Sequence, residues 1–150
     1  MNKEAIYQRI HLQLEELFKK TNDFDARMAT ISAILHHKLS RVLWTGFYSL
    51  KEGALIVKTY QGPLACQILK KNTGVCWTAI NKQKTIVVPD VHLFDGHIAC
   101  DPRSKSEIVV PVRDKTGTII GVLDIDSKVL NGFDETDQEY LEKIITLLNS

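Results

Sequence analysis

The hydrophobic period changes along this chain, and that change limits the elements it can build. Ile6, Ile10, Leu14, Leu17 and Phe18 recur at spacings of three and four over the first 20 residues, which predicts an amphipathic helix. Thr21-Asn22-Asp23 offers capping side chains for a second helix with the stripe Phe24, Met28, Ile31 and Leu35. Asp25 puts negative charge in its first turn, where the helix dipole favours it. Residues 42–50 and 54–60 then switch to β-branched and aromatic types around Lys51-Glu52-Gly53, the pattern of a β-hairpin. Gly62-Pro63 ends the second strand, and residues 85–88 form a third, closed by Pro89. Residues 107–113 and 118–127 flank Asp114-Lys115-Thr116-Gly117 as a second hairpin. Asp134, with Asp137 three residues on, caps a last helix with the stripe Leu141, Ile144, Ile145 and Leu148. Asn72-Thr73-Gly74-Val75 looks like one further helix start. The order predicts an α+β fold with helices grouped on an antiparallel sheet.

With 150 residues the chain supports one domain, 1–150. At 44% hydrophobic and 25% charged residues, disorder and collagen-like repeats are ruled out. A net charge of +1 argues against a nucleic-acid binder that works by neutralising phosphates. No apolar run approaches the roughly 20 residues that span a bilayer. Glu4, Glu15 and Glu16 interrupt the basic-then-apolar order of a signal peptide, so a cytoplasmic location is expected. Three cysteines, an odd number, do not suit a secreted disulfide framework.

The chemistry-bearing groups concentrate in the second half. Residues 90–106 show no period and read as a long loop carrying His92, Gly96, His97, Cys100 and Pro102; such loops are usually functional or disordered. Cys66 lies just past a strand end, Cys76 at a helix start where a thiol would feel the positive end of the dipole, and Cys100 beside His97 and Asp101. Buried spacers are the plain alternative for all three. A zinc site with His92 or His97 is another, although the paired short spacings typical of structural zinc are absent. Asp124 and Asp126 are two apart in a strand and so share a face, and the hairpin brings Glu107 close to Asp126. Clustered carboxylates repel, and burial raises at least one pKa. Such a trio is either a solvated strand end or a pocket that holds a cation or offers a carboxylic acid as general acid. Trp44 and Tyr48 share one face of the first strand, as core or as pocket lining, and Phe47 takes the other. His11, His36 and His37 read as surface residues of helices, and Lys70-Lys71 as a solvated turn.

The stretch Asp90-Val-His-Leu-Phe-Asp-Gly-His-Ile-Ala-Cys100-Asp, then Ser106-Glu107-Ile-Val-Val-Pro111 and Gly121-Val-Leu-Asp124-Ile-Asp126-Ser127, closely resembles the free methionine-(R)-sulfoxide reductases. Trp44-Thr-Gly46-Phe-Tyr48, Gln61-Gly62-Pro-Leu-Ala-Cys66 and Gly74-Val-Cys76 extend the likeness, which spans roughly residues 40–130. These are single GAF-type domains: an antiparallel sheet with the N- and C-terminal helices on one face and pocket-forming loops on the other. The resemblance implies thiol-dependent reduction of free methionine-R-sulfoxide, with Cys100 as nucleophile, Cys66 as resolving cysteine and Cys76 as an auxiliary thiol. It implies Glu107, Asp124 and Asp126 as pocket carboxylates, with Glu107 the first choice for proton donor and Asp126 the second. Trp44 and Tyr48 would line the cavity, and Asp124 or Asp126 would take the substrate ammonium. Backbone N–H groups around Cys100 would take its carboxylate. Thioredoxin or a similar dithiol would reset the enzyme, a homodimer is expected with the apolar N-terminal helices as its surface, and no metal or cofactor enters. A non-catalytic GAF module that binds a small ligand or serves as a sensor is the alternative on the same fold.

In one loop the chain departs from that pattern. Trp77 stands where the family usually has Gly after the cysteine, and Asn72-Thr73-Gly74 replaces a Gly-Arg-Gly. The expected consequence is a reshaped pocket mouth, or a Cys76 held away from the thiol relay.

Overall fold

The computed structural model describes residues 2–97 and 100–150. Asn2 and Asp23 cap the first two helices, α1 (Lys3–Leu17) and α2 (Phe24–Lys38), each accepting from the backbone N–H three residues on at 2.8 Å. The strands β1 (Val42–Lys51) and β2 (Ala54–Gln61) form the first hairpin, with Gly53 of its turn at a φ of +78°. Next come β3 (Ile68–Leu69), α3 (Gly74–Lys82), β4 (Ile86–Val88) and a short 3-10 turn at Val91–Leu93. The second hairpin is β5 (Ser106–Arg113) and β6 (Ile119–Ser127). The chain closes with α4 (Glu135–Thr146), whose start carries the Asp134–Asp137 capping box, and a final 3-10 turn at Leu147–Asn149.

All six strands form one antiparallel sheet in the order β3-β2-β1-β6-β5-β4. Strand alternation splits the apolar residues between its two faces. Phe47, Ile108, Val110, Leu123 and Ile125 pack under α1, α2 and α4. Trp44, Tyr48, Val109 and Val122 turn to the opposite face, under α3 and the long loops. The expected α+β layering is thus present, with the terminal helices on one face and the loops on the other. No helix among the described residues is long and apolar enough to cross a membrane.

Some local expectations need correction. Leu17 of the first helical stripe is exposed, and Tyr7 takes a buried place in its stead. His36 is half-buried rather than on the surface; its Nδ1 lies 3.3 Å from Thr45 Oγ1, and burial pushes its pKa down. Thr73 starts α3 without a side-chain cap, because its hydroxyl donates instead to Lys70 O at 2.7 Å.

The helical layer is tied by two buried charges. Arg27 donates to the carbonyls of Phe18, Leu147 and Ser150 at 2.7, 2.9 and 2.8 Å, joining the ends of α1 and the chain terminus to α2. Asp137, fully buried, accepts from Tyr7 Oη at 2.6 Å and Lys3 Nζ at 2.7 Å, and pairs with Arg41. A buried charge is tolerable only with this degree of pairing.

Candidate active site

Sheet register assembles the acidic part of the site. Glu107 on β5 faces Asp126 on β6 across the ladder, and Val109 faces Asp124. On the other side of β6, Trp44 of β1 pairs with Asp126 and Gly46 with Asp124. Three carboxyls and an indole therefore meet on the face away from the terminal helices. Glu107 and Asp124 are buried, and Asp126 is half-buried.

Burial dominates their ionisation. Desolvation, with Asp126 close by, pushes Glu107 up to about 8. Asp124 is pushed well above the carboxylate range by burial and then by Glu107. Asp126 is raised too, by burial and by Asp124, against the hydroxyl of Ser104 that donates to its Oδ1 at 3.1 Å. Burial thus favours the protonated form at each of the three carboxyls, and Glu107, at about 8, is the acid that stays protonated at neutral pH. His97 Nε2 lies 3.6 Å from Glu107 Oε1, and burial holds its pKa down.

Two polar atoms have no partner among the described residues: Trp44 Nε1 and Asp124 Oδ1, both buried. An orphan donor and an orphan acceptor in one pocket are costly unless a ligand meets them. The Trp44 ring stacks between Tyr48 and Tyr60, at centroid distances of 5.8 and 5.3 Å. Core and pocket lining were the two readings of Trp44 and Tyr48, and both residues serve as both.

Cys66 and Cys100 form a disulfide with their Cα atoms 5.8 Å apart, inside the span such a bond requires. The cavity they border is lined also by Trp44, Cys76, Glu107 and Asp124. In this disulfide-bonded state it leaves about 50 Å³ to the centres of water molecules. Cys66 is half-buried and Cys100 exposed. Tyr48 Oη donates to Cys66 O at 3.1 Å, fixing the loop end that carries the thiol. Beyond Cys100, Arg103 holds the Asp101 carboxyl down to about 2 through a two-point ion pair. Ile98 and Ala99, part of the loop motif expected to offer N–H groups to a substrate, lie outside the described residues.

Cys76 is the free cysteine, buried on α3. The dipole argument anticipated an activated thiol, but burial and the nearby Asp124 and Glu107 push its pKa well up instead. Cys76, Glu107 and Asp124 bring possible ligand atoms within 4.8 Å of one another, the set among the described residues with metal-ligand spacing. The zinc alternative named His92 or His97, and neither histidine belongs to this set. Trp77 is buried on α3 and is not itself among the cavity-lining residues; its Nε1 donates to the carbonyl of Leu69, which does line the cavity, at 3.2 Å. Ser104 and His97 are polar residues of the lining that were not assigned to the pocket from sequence. His97 had a signal, its place beside Cys100 in an aperiodic loop; Ser104 had none.

A helix-backed antiparallel sheet with a loop-built pocket on its other face defines a GAF domain, and a family model described as GAF domain matches residues 21–149. Over 150 residues the chain is 45% identical to GAF domain-containing protein A of Dictyostelium discoideum, covering 99% of this chain and 94% of that one. It is 40% identical to free methionine-R-sulfoxide reductase of Escherichia coli over 148 residues, covering 99% and 89%. The X-ray structure of free methionine-R-sulfoxide reductase from Neisseria meningitidis in complex with its substrate superposes with a TM-score of 0.93 at 39% identity, covering 99% and 89%. This chain belongs to the free methionine-R-sulfoxide reductase family.

Proposed function

We propose that this chain reduces free methionine-R-sulfoxide to methionine, with Cys100 as the nucleophile and Glu107 as the acid. The observation that carries the reading is the Cys66–Cys100 disulfide bordering a pocket that holds the Glu107, Asp124 and Asp126 carboxyls.

Sulfoxide sulfur is electrophilic, but its oxygen leaves sulfur only once protonated. The Cys100 thiolate attacks sulfur while Glu107, protonated at neutral pH, delivers its proton to oxygen. The oxygen passes to Cys100, which becomes a sulfenic acid as methionine departs. The Cys66 thiol then attacks the Cys100 sulfur. The S–S bond forms, the S–O bond breaks, and the oxygen leaves as water with the Cys66 proton. Thiol–disulfide exchange with thioredoxin or a similar dithiol restores both thiols.

The carboxyls also suit the substrate's own charge. Its ammonium meets Asp124 or Asp126 and draws that carboxyl back toward its ionised form, and the unpartnered Asp124 Oδ1 is an acceptor in place for it. Trp44 supports the sulfur-bearing side chain with its ring face. The small volume of the pocket disfavours a peptide-bound sulfoxide. Cys76, its thiol pushed up in pKa by burial beside Asp124 and Glu107, serves as an auxiliary thiol. A homodimer and a cytoplasmic setting complete the reading; the exposed Leu12 and Leu17 of α1 supply apolar surface for the dimer.

The test is a thioredoxin-coupled NADPH assay with free methionine-R-sulfoxide, its S-epimer and a peptide-bound sulfoxide. Turnover of the free R-epimer alone is expected. No turnover of any of the three, also with dithiothreitol as reductant, contradicts the reading and leaves a ligand-binding GAF module.

A further inference from the structure

Trp77, the residue that departs from the family pattern, grips the segment that carries Cys66. The half-buried Cys66 and the three residues after it lead through β3, and three of these four carbonyls are held by donors from three different elements. Tyr48 Oη of β1 donates to Cys66 O at 3.1 Å, Val57 N of β2 to Gln67 O at 2.9 Å, and Trp77 Nε1 of α3 to Leu69 O at 3.2 Å. The last of these is buried, with Trp77 only 3% exposed. β3 is just two residues long and lies at the sheet edge, so its pairing with β2 supplies little by itself.

Helical geometry links this grip to the neighbouring thiol. Consecutive residues on a helix point about 100° apart. With the Trp77 indole turned to Leu69, Cys76 is turned into the cavity, against Asp124 and Glu107. One side chain thus holds the strand that follows Cys66 and sits next to Cys76 on the helix.

We infer that Trp77 is a positioning residue of the thiol relay: it holds the Cys66 segment at bonding distance from Cys100 and keeps Cys76 aimed at the carboxyls. This rests on the reading of Cys66 as the resolving cysteine. A small residue at position 77 would leave Leu69 O without its donor and α3 free to rotate, so Cys66 would spend less time near Cys100. The quantity concerned is the effective concentration of one thiol at the other.

The experiment equilibrates the full chain with mixtures of reduced and oxidised dithiothreitol, which needs no sulfoxide. In that exchange the protein dithiol gives two electrons and two protons to oxidised dithiothreitol and becomes the Cys66–Cys100 disulfide. Trp77→Phe keeps the ring and removes the donor; the equilibrium constant for disulfide formation is expected to fall roughly tenfold, the scale set by losing one buried hydrogen bond. Trp77→Gly is expected to lower it further and to yield Cys76–Cys100 bonds on peptide mapping by mass spectrometry. Ile144→Val, buried under the other face of the sheet, serves as the control: it lowers global stability and leaves the disulfide equilibrium unchanged. Should Trp77→Gly fail to fold, Trp77→Phe alone decides. A Trp77→Phe constant within twofold of wild type overturns the inference. If Trp77→Phe weakens the disulfide while the wild type makes no methionine from the sulfoxide, the positioning role stands and the reductase reading fails. If methionine forms and the constant does not move, the reverse holds.

Discussion

Glu107 and Asp126 face each other as register partners across the β5–β6 ladder, on the sheet face away from the terminal helices. Burial first, and then Asp126, raises the cost of ionising Glu107, while burial and then Asp124 does the same for Asp126. This pair sets the pH behaviour of the site.

With Glu107 as the proton donor, its protonated fraction controls the rate. We expect kcat/KM for free methionine-R-sulfoxide to decline as pH rises through about 8, where Glu107 ionises. Glu107→Gln should lower kcat about 10²–10⁴-fold, the usual contribution of a positioned acid, and remove that alkaline limb. A pH–rate profile of both proteins checks this; an unshifted limb in Glu107→Gln assigns it to another group.

The same shift has a consequence for stability. Glu107 titrates near its ordinary 4.5 when unfolded and near 8 when folded, so between these values the folded protein binds more protons. Stability is therefore full below about 4.5 and is lost as pH rises through about 8. Urea midpoints measured from pH 5 to 8 should fall with pH, and Glu107→Gln should flatten the slope. A midpoint that rises across that range would count against a protonated cluster.

Gly46 is the floor under the Trp44 ring. A Cβ there would lie 2.6 Å from Trp44 Cη2 and would also meet Tyr60 Cβ, on the neighbouring strand. Gly46→Ala should cost about 1–3 kcal/mol as overpacking and raise KM more than it lowers kcat, since the displaced ring lines the pocket. Thermal melts and steady-state kinetics give the two readouts.

Asp137 lies in the helical layer and is not among the residues that line the pocket. Asp137→Ala strips the partner from Arg41, Lys3 and Tyr7, and should destabilise the fold by about 3–5 kcal/mol. The fraction that remains folded should keep its KM. A large KM change at constant stability would show coupling between the layers.

Much of this was legible in the sequence where short-range physics decides. Turn residues and alternation placed both hairpins, and the second hairpin's register put Glu107 beside Asp126. The caps at Asp23 and Asp134 marked helix starts because their partners lie three residues away. β3 escaped notice because two residues carry no period; Val57 and Trp77 hold it from elsewhere in the chain. The contact of Trp77 was hidden for a related reason: nothing in the sequence says that the indole Nε1 reaches the carbonyl of Leu69. Cys76 likewise sits where the dipole argues for a thiolate, and only the fold reveals the carboxyls that oppose it. Arg27 became a buried staple by tertiary contact alone.

The most direct measurement is one turnover without any external reductant. Fully reduced protein is mixed with free methionine-R-sulfoxide, quenched, and assayed for methionine and for the state of each cysteine by mass spectrometry. The account predicts one methionine per chain with a Cys66–Cys100 bond in the wild type, a persistent Cys100 sulfenic acid in Cys66→Ser, and no methionine in Cys100→Ser. Methionine formed at the wild-type rate by Cys100→Ser, or none formed by the wild type, would contradict it.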